Sequence, residues 1–298
     1  MTHSSHIKQR LKWALLFTAL ILIVELIGGI IANSLALIGD AAHMFSDMAA
    51  LGLSWLALTW AHRPSPNDKT YGYHRAEILA ALINGILLFT MAAMIAMSAW
   101  ERLNAPREID SVTVMIVAAI GLVTNGIVIF ILKDSHHHSH DLNVKSAFYH
   151  VIGDTISSAG VIVGGAVIWY TGWYYIDSLI ALAIACLLVW GAKNILSDSV
   201  HILMEGVPKN ASVTDVVQEL KLLPGILDIH ELHIWSICSN VNALSAHVLI
   251  PDQKVNQAET ILTDIQSALA DKFNITHSTI QFESALCNTP DLSCEIEH

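Results

Sequence analysis

Six runs of apolar residues, at 11–32, 37–61, 78–100, 112–133, 144–170 and 175–196, fill the first two thirds of this chain, and each is long enough to cross a bilayer. A hydrocarbon core is ~30 Å thick and an α-helix rises ~1.5 Å per residue, so about 20 apolar residues suffice. Backbone N–H and C=O groups find no water in lipid, which leaves the helix as the form each run must take. Composition agrees: 54% of the 298 residues are hydrophobic and only 14% are charged, where soluble domains carry roughly 25% charged residues. The expected class is an α-helical membrane protein with six transmembrane helices. The formal charge of -11 argues against nucleic acid as a partner.

Lys8, Arg10 and Lys12 precede the first run as in a secretory signal, but the run is too long and Gly28-Gly29-Ile30-Ile31 is a poor cleavage site, so a retained span is expected. Lys8, Arg10, Lys12, Arg63, Lys69, Arg75, Lys133, Lys145, Lys193 and Lys209 fall at one set of run ends, against Arg102 and Arg107 at the other. That asymmetry predicts both termini in the cytoplasm of a multi-pass protein, expected in a bacterial inner membrane. Cys186, Cys238, Cys287 and Cys294 form no C-x-x-C pair and read as reduced thiols.

Beyond Ser197 the sequence turns polar, which divides the chain into an N-terminal tail at 1–10, a six-helix domain at 11–198, a cytoplasmic domain at 199–285 and a tail at 286–298. Ser212-Val-Thr-Asp215 resembles a capping box, followed by Val213, Val216, Val217 and Leu220 at helical spacing and a Pro224-Gly225 break. Strands are expected at 226–235, 241–250 and 275–282, and a helix with Ala258, Ile261, Leu262, Ile265 and Leu269 on one face. The helix-strand-strand-helix-strand order predicts a small α+β sandwich, ferredoxin-like or metallochaperone-like in outline.

Within the apolar runs stand two His-x-x-x-Asp pairs, His43 with Asp47 and His150 with Asp154. Spacing of i, i+4 puts both side chains of a pair on one helix face. If the faces meet, two imidazoles and two carboxylates converge, a donor set suited to tetrahedral Zn²⁺. The competing explanation is interhelical hydrogen bonding. One pair fits that; two pairs fit it poorly, since each Asp costs ~2.5–3.5 kcal/mol at mid-bilayer. Glu25, Asn84 and Asn125 are expected to make interhelical hydrogen bonds or water contacts, and Asp177 to cap a helix N-terminus. Asp40, one turn before His43, is a candidate proton acceptor or partner of a ligand.

A hydrolytic zinc site keeps three protein ligands and an open position. Four ligands and no H-E-x-x-H motif point away from an enzyme and toward an ion path. Because His and Asp shed protons to bind metal, the site predicts metal–proton exchange by alternating access. A membrane-bound metal sensor is the competing class.

The stretch Ser34-Leu-Ala-Leu-Ile-Gly-Asp-Ala-Ala-His43-x-x-x-Asp47, with Tyr71-Gly-Tyr-His74-Arg-Ala-Glu77 and His150-x-x-x-Asp154, closely resembles the cation diffusion facilitator family. Leu232-His233-Ile-Trp235, Ser245-Ala-His247 and Thr279-Ile-Gln281 are similar to its cytoplasmic domain, so the resemblance covers nearly the whole chain. It implies a homodimer of six-helix protomers exporting divalent metal in exchange for protons. His at position 43 resembles the zinc-transporter branch, with Cd²⁺ and Co²⁺ as other possible cargoes.

Strand alternation places His233, His247 and His277 on the open side of the sheet, with Glu283 following, as a second metal site. The family resemblance groups His233, His247 and Glu283, and sets His277 near His74 in the loop between the second and third spans. Zinc there would join the dimer or sense cytosolic metal. The tract His136-His-His138-Ser-His140 reads either as a metal-feeding loop or as a solvated one.

Overall fold

The computed structural model describes the backbone of residues 2–61, 63–138, 142–239 and 241–285, and side chains for all of these except 2–14, 131–138 and 142–150. The apolar runs form six long helices: α1 (Thr2–Ile31), α2 (Leu35–Ala61), α3 (Ala76–Asn104), α4 (Ser111–His138), α5 (Leu142–Thr171) and α6 (Tyr175–Leu203). Then come α7 (Val213–Lys221), β1 (Asp228–Cys238), β2 (Val241–Leu249), α8 (Val255–Phe273) and β3 (Ile275–Glu283), in the order expected. The chain is a helical transmembrane domain followed by a small α+β domain.

Among the described residues, Ala76–Asn104, Ser111–Phe130, Val151–Thr171 and Tyr175–Leu203 are long and apolar enough to cross a membrane, and α1 adds the shorter apolar helix Leu15–Ile31. Helix α2 falls outside that set because Asp40, His43, Ser46 and Asp47 interrupt it. Helix α6 runs unbroken to Leu203. Two compact units result: Met1–Gly52 with Ile83–Asn194, and Leu53–Leu82 with Ile195–His298.

In the first unit α4 packs along both α1 and α5. A Cβ placed on Gly28 would lie 2.6 Å from Cγ2 of Val117, so α1 approaches α4 at a distance only glycine permits. Ala36, Leu37, Val114, Val117, Val161 and Ile168 form its largest buried apolar cluster's core. Leu20, Ile27, Ile31, Val123, Phe130 and Trp190 are exposed, as side chains covered by lipid are. Asn33 makes the α1–α2 turn at φ 55°. The Arg102 guanidinium donates to both its backbone oxygen and its side-chain oxygen, the latter at 2.9 Å.

Asp177 caps a helix, though not the one expected. It stands in the first turn of α6, yet it accepts from the Ser34 hydroxyl and from the N–H groups of Leu35 at 2.7 Å and Ala36 at 3.3 Å. These are donors at the start of α2, which lack intrahelical partners. Buried orphan donors attract the nearest carboxylate, and Asp177 is 2% exposed.

In the second unit the loop before α3 joins the last domain: Arg75 Nη2 donates to Glu205 Oε1 at 2.9 Å and Ser239 Oγ to Glu77 Oε1 at 2.7 Å. The sheet order is β1-β2-β3, with β1 antiparallel and β3 parallel to β2. Ser212 is the N-cap of α7, accepting from the Asp215 N–H at 3.3 Å. Val216 and Leu220 of α7 and Ile261, Ile265 and Leu269 of α8 pack on Ile229, Leu232, Ile234, Leu244 and Val248 of the sheet. That covers one face and leaves the other for polar side chains. Strand β1 carries one extra residue between His230 and His233, at Glu231, whose φ is 48°. Such a bulge reverses the alternation of the strand, so His230 and His233 share a face.

Candidate metal centres

In the first unit, α2 and α5 bring three of the four expected membrane ligands together. His43 Nδ1 lies 3.6 Å from Asp47 Oδ2, and its Nε2 lies 4.0 Å from Asp154 Oδ1. One imidazole thus stands between two carboxylates, each facing a different ring nitrogen. The i, i+4 spacing on α2 produces the first approach and helix packing the second. Asp154 is buried, whereas His43 and Asp47 are partly open. Position 150 falls on α5 one turn before Asp154, but its side chain lies outside the described residues, as do the side chains of His136, His137, His138 and His140 and residues Cys287 and Cys294.

Asp40, 4% exposed, accepts from the Ser157 hydroxyl at 2.7 Å, a contact the sequence did not announce. The interhelical bonds expected of Glu25 and Asn84 are incomplete: Glu25 Oε2 and Asn84 Oδ1 are buried without a hydrogen-bond partner.

In the second unit the sheet's open face gathers His230, His247 and Glu283, whose nearest donor atoms all lie within 4.8 Å of one another. His230 pairs directly across from His247 on β2. Glu283 closes the group from β3, with Oε2 3.1 Å from His230 Nε2 and Oε1 2.9 Å from His247 Nδ1. The second approach lacks hydrogen-bond alignment. Glu231 Oε2 stands 3.4 Å from His247 Nε2 on the far side of that ring. Gln281 Nε2 donates to Glu283 Oε1 at 2.9 Å and steadies the carboxylate.

His233, expected in this group, is exposed elsewhere, on a cavity of about 980 Å³ lined also by Asp68, Arg75, Glu205 and Trp235. His233 shares the open face but pairs opposite Ser245, two residues along β2 from His247, and the bulge at Glu231 is what turns His230 to that face. Counting back by twos from His233 puts Glu231 and Ile229 on the open face and His230 in the core. The structure does the reverse, with Ile229 in the apolar core and His230 in the cluster. The signal was legible: strict alternation would have exposed an isoleucine and buried a histidine. His74 and His277 are both exposed, and the metal-holding group found among the described residues contains neither.

The donor set suits a zinc ion. Zn–N and Zn–O bonds of ~2.0–2.1 Å in a tetrahedron separate ligand atoms by about 3.3 Å, close to the spacings at Glu283. His230 Nδ1 is buried without a partner, so this cluster holds polar atoms that the protein alone leaves unsatisfied.

Comparison with known proteins places these features. Residues 11–204 match the family model for the cation efflux transmembrane domain, and 208–285 match that for the cation efflux protein cytoplasmic domain. The chain is 41% identical over 289 residues to the metal cation efflux system protein CzcD of Cupriavidus metallidurans, spanning 97% of this chain and 90% of that one. It is 40% identical over 268 residues to a cadmium, cobalt and zinc/H(+)-K(+) antiporter of Bacillus subtilis, covering 90% and 86%. With the zinc transporter ZitB of Escherichia coli it shares 34% identity over 297 residues, covering 97% and 93%. A solved metal-bound C-terminal domain of the CzcD transporter is 40% identical and aligns with 24% of this chain and 99% of its own, at a TM-score of 0.23. Matched along nearly its whole length, the chain belongs to the cation efflux, or cation diffusion facilitator, family: it is a metal efflux transporter and not an enzyme.

Proposed function

We propose that the protein exports zinc from the cytoplasm in exchange for protons, with His43, Asp47, His150 and Asp154 as the transport ligands. The observation that carries this reading is the His43 ring lying between Asp47 and Asp154, contributed by two helices. Zinc, the cargo, would take its place among these donors as they shed protons, and protonation from the opposite side would release it. No open coordination position or general base is needed, because nothing is cleaved. The names of the relatives, a zinc transporter and a cadmium, cobalt and zinc antiporter, support this cargo class and make Cd²⁺ and Co²⁺ the cargoes to compare.

In the cytoplasmic domain we assign a zinc-holding role to His230, His247 and Glu283, with Glu231 beside His247. The protein works as a homodimer in a bacterial inner membrane with both termini cytoplasmic, a reading supported by the Lys and Arg asymmetry.

The test is zinc flux in proteoliposomes under an imposed pH gradient. Asp47→Ala and Asp154→Ala should each lower the flux by more than about tenfold, as loss of a directly bound carboxylate demands. Unchanged flux in both, with folded protein in the bilayer, refutes the site.

A further inference from the structure

Glu25 is the buried ionisable group that this mechanism leaves unused. It stands on α1, is 1% exposed, and its Oε2 has no hydrogen-bond partner. Its carboxyl group enters a notch opened by a glycine: a Cβ on Gly121 of α4 would lie 2.7 Å from Glu25 Oε1 and 3.5 Å from Oγ of Ser158 on α5. Ser158 Oγ is also buried without a partner, and Asn125, one turn along α4 from Gly121, is buried too.

The position along the bundle is informative. Glu25 lies six residues before the end of α1 and Asp40 five residues after the start of α2, so both stand roughly 8–9 Å from the Asn33 turn. His43 and Asp47 lie eight and twelve residues in, roughly 12 and 18 Å. Glu25 and Asp40 thus sit between the metal ligands and one end of the bundle. The titratable groups that act on Glu25 are the carboxyl groups of Asp40 on α2 and Asp154 on α5. Span 111–130 of α4 has no titratable residue, and 15–31 of α1 has none besides Glu25. Ionised, the carboxylate carries a charge beside two other carboxyl groups and an oxygen with no donor; protonated, it loses that charge, and the Ser158 hydroxyl borders the same notch.

We infer that Glu25 is a proton-carrying group of the transport path, separate from the metal ligands. Its carboxylate takes up one proton to become the acid and returns it, with no other bond made or broken. The inference deepens the antiport reading and rests on it. Glu25 handles the proton while His43, Asp47 and Asp154 handle the metal, so the two cargoes need not compete for every ligand.

Two measurements on the full chain in proteoliposomes test it. The membrane-soluble reagent dicyclohexylcarbodiimide attacks protonated carboxyl groups in apolar surroundings, and peptide mass mapping locates the adduct. The expected adduct is on Glu25, grows as pH falls, and persists under saturating zinc. Glu25→Gln should still bind zinc, since Glu25 is not itself one of the ligands, with any change in affinity limited to its electrostatic coupling to Asp154. It should also lose most of the zinc-coupled proton movement read by an internal pH dye and flatten the pH profile of flux, with Glu25→Asp restoring part of both. Absence of the adduct at every pH, or a Glu25→Gln protein moving zinc and protons in the parent ratio with the parent profile, overturns the role of Glu25 alone. A parent that moves zinc without protons overturns the antiport reading and this inference with it.

Discussion

Replacing His230 and His233 by alanine in turn separates the bulged strand from a regular one. His233 was the residue expected on this face, and His230 is the one that stands with His247 and Glu283. The magnitude follows from the ligand count. A structural Zn²⁺ site contributes ~10–16 kcal/mol, so one ligand of four accounts for about 3 kcal/mol. At 1.4 kcal/mol per tenfold, His230→Ala should weaken the cytoplasmic site by roughly 140-fold. His233→Ala removes an exposed ring outside the cluster and should change affinity by less than about twofold. The assay is zinc titration calorimetry on the full chain, in an Asp47→Ala, Asp154→Ala background that removes the membrane site. His230 is 2% exposed, so its loss also leaves a small cavity. Glu283→Gln, which keeps the volume and removes the charge, controls for that and should weaken binding in the same direction. If His233→Ala abolishes zinc binding while His230→Ala leaves it intact, the bulge does not place the ligands.

Two further outcomes are expected. Asp177→Ala strands the buried N–H of Leu35 and the Ser34 hydroxyl, each bond to a carboxylate being worth ~1.5–3 kcal/mol, so the first unit should lose about 3–5 kcal/mol and unfold earlier on heating in detergent; Asp177→Asn should recover part of this, and unchanged melting in both refutes the cap. Lys221 Nζ, 2.8 Å from Asp228 Oδ1, holds that carboxyl below its ordinary range, helped by the Ile229 N–H. A lowered carboxylate stabilises above its unfolded pKa and loses that contribution as pH falls through the folded one. Asp228→Asn should therefore cost a few tenths of a kcal/mol at pH 7, small because both partners are more than a third exposed, and nothing well below about pH 3. A pH-independent difference in urea midpoint counts against the pair.

What could be read from the sequence follows from how far each signal reaches along the chain. Apolar runs and i, i+4 spacing are local, so six helices and the shared face of His43 and Asp47 were legible, as was the strand and helix order of the last domain. Partners across helices are not local. Asp177 was read as a cap because it opens α6, yet the donors it serves are 142 and 143 residues away, at the start of α2. The Glu25 notch depends on a glycine of α4 facing it, which spacing within α1 cannot reveal. In the last domain His247 and Glu283 were named, but the inserted residue at Glu231 that turns His230 onto their face, and the register that sets His233 opposite Ser245, could not be read from alternation alone.

Helix α2, which carries two of the proposed transport ligands, is the one of α2 to α6 that hydropathy describes worst. It carries Asp40, His43, Ser46 and Asp47 within two turns, and it alone among α2 to α6 contains no stretch apolar enough to pass as a span. Lipid affinity therefore cannot fix its position by itself, because each ionisable group in the bilayer opposes insertion by a few kcal/mol. Neighbouring helices supply the difference with polar contacts: Asp177 of α6 at its first turn, Arg102 of α3 on the Asn33 turn, and Ser157 of α5 on Asp40. The helix that carries two of the proposed transport ligands is thus held at its start and along one face by hydrogen bonds. Weakening any one of them should disturb metal affinity before it disturbs membrane insertion, because the remaining contacts and the other spans still carry the fold.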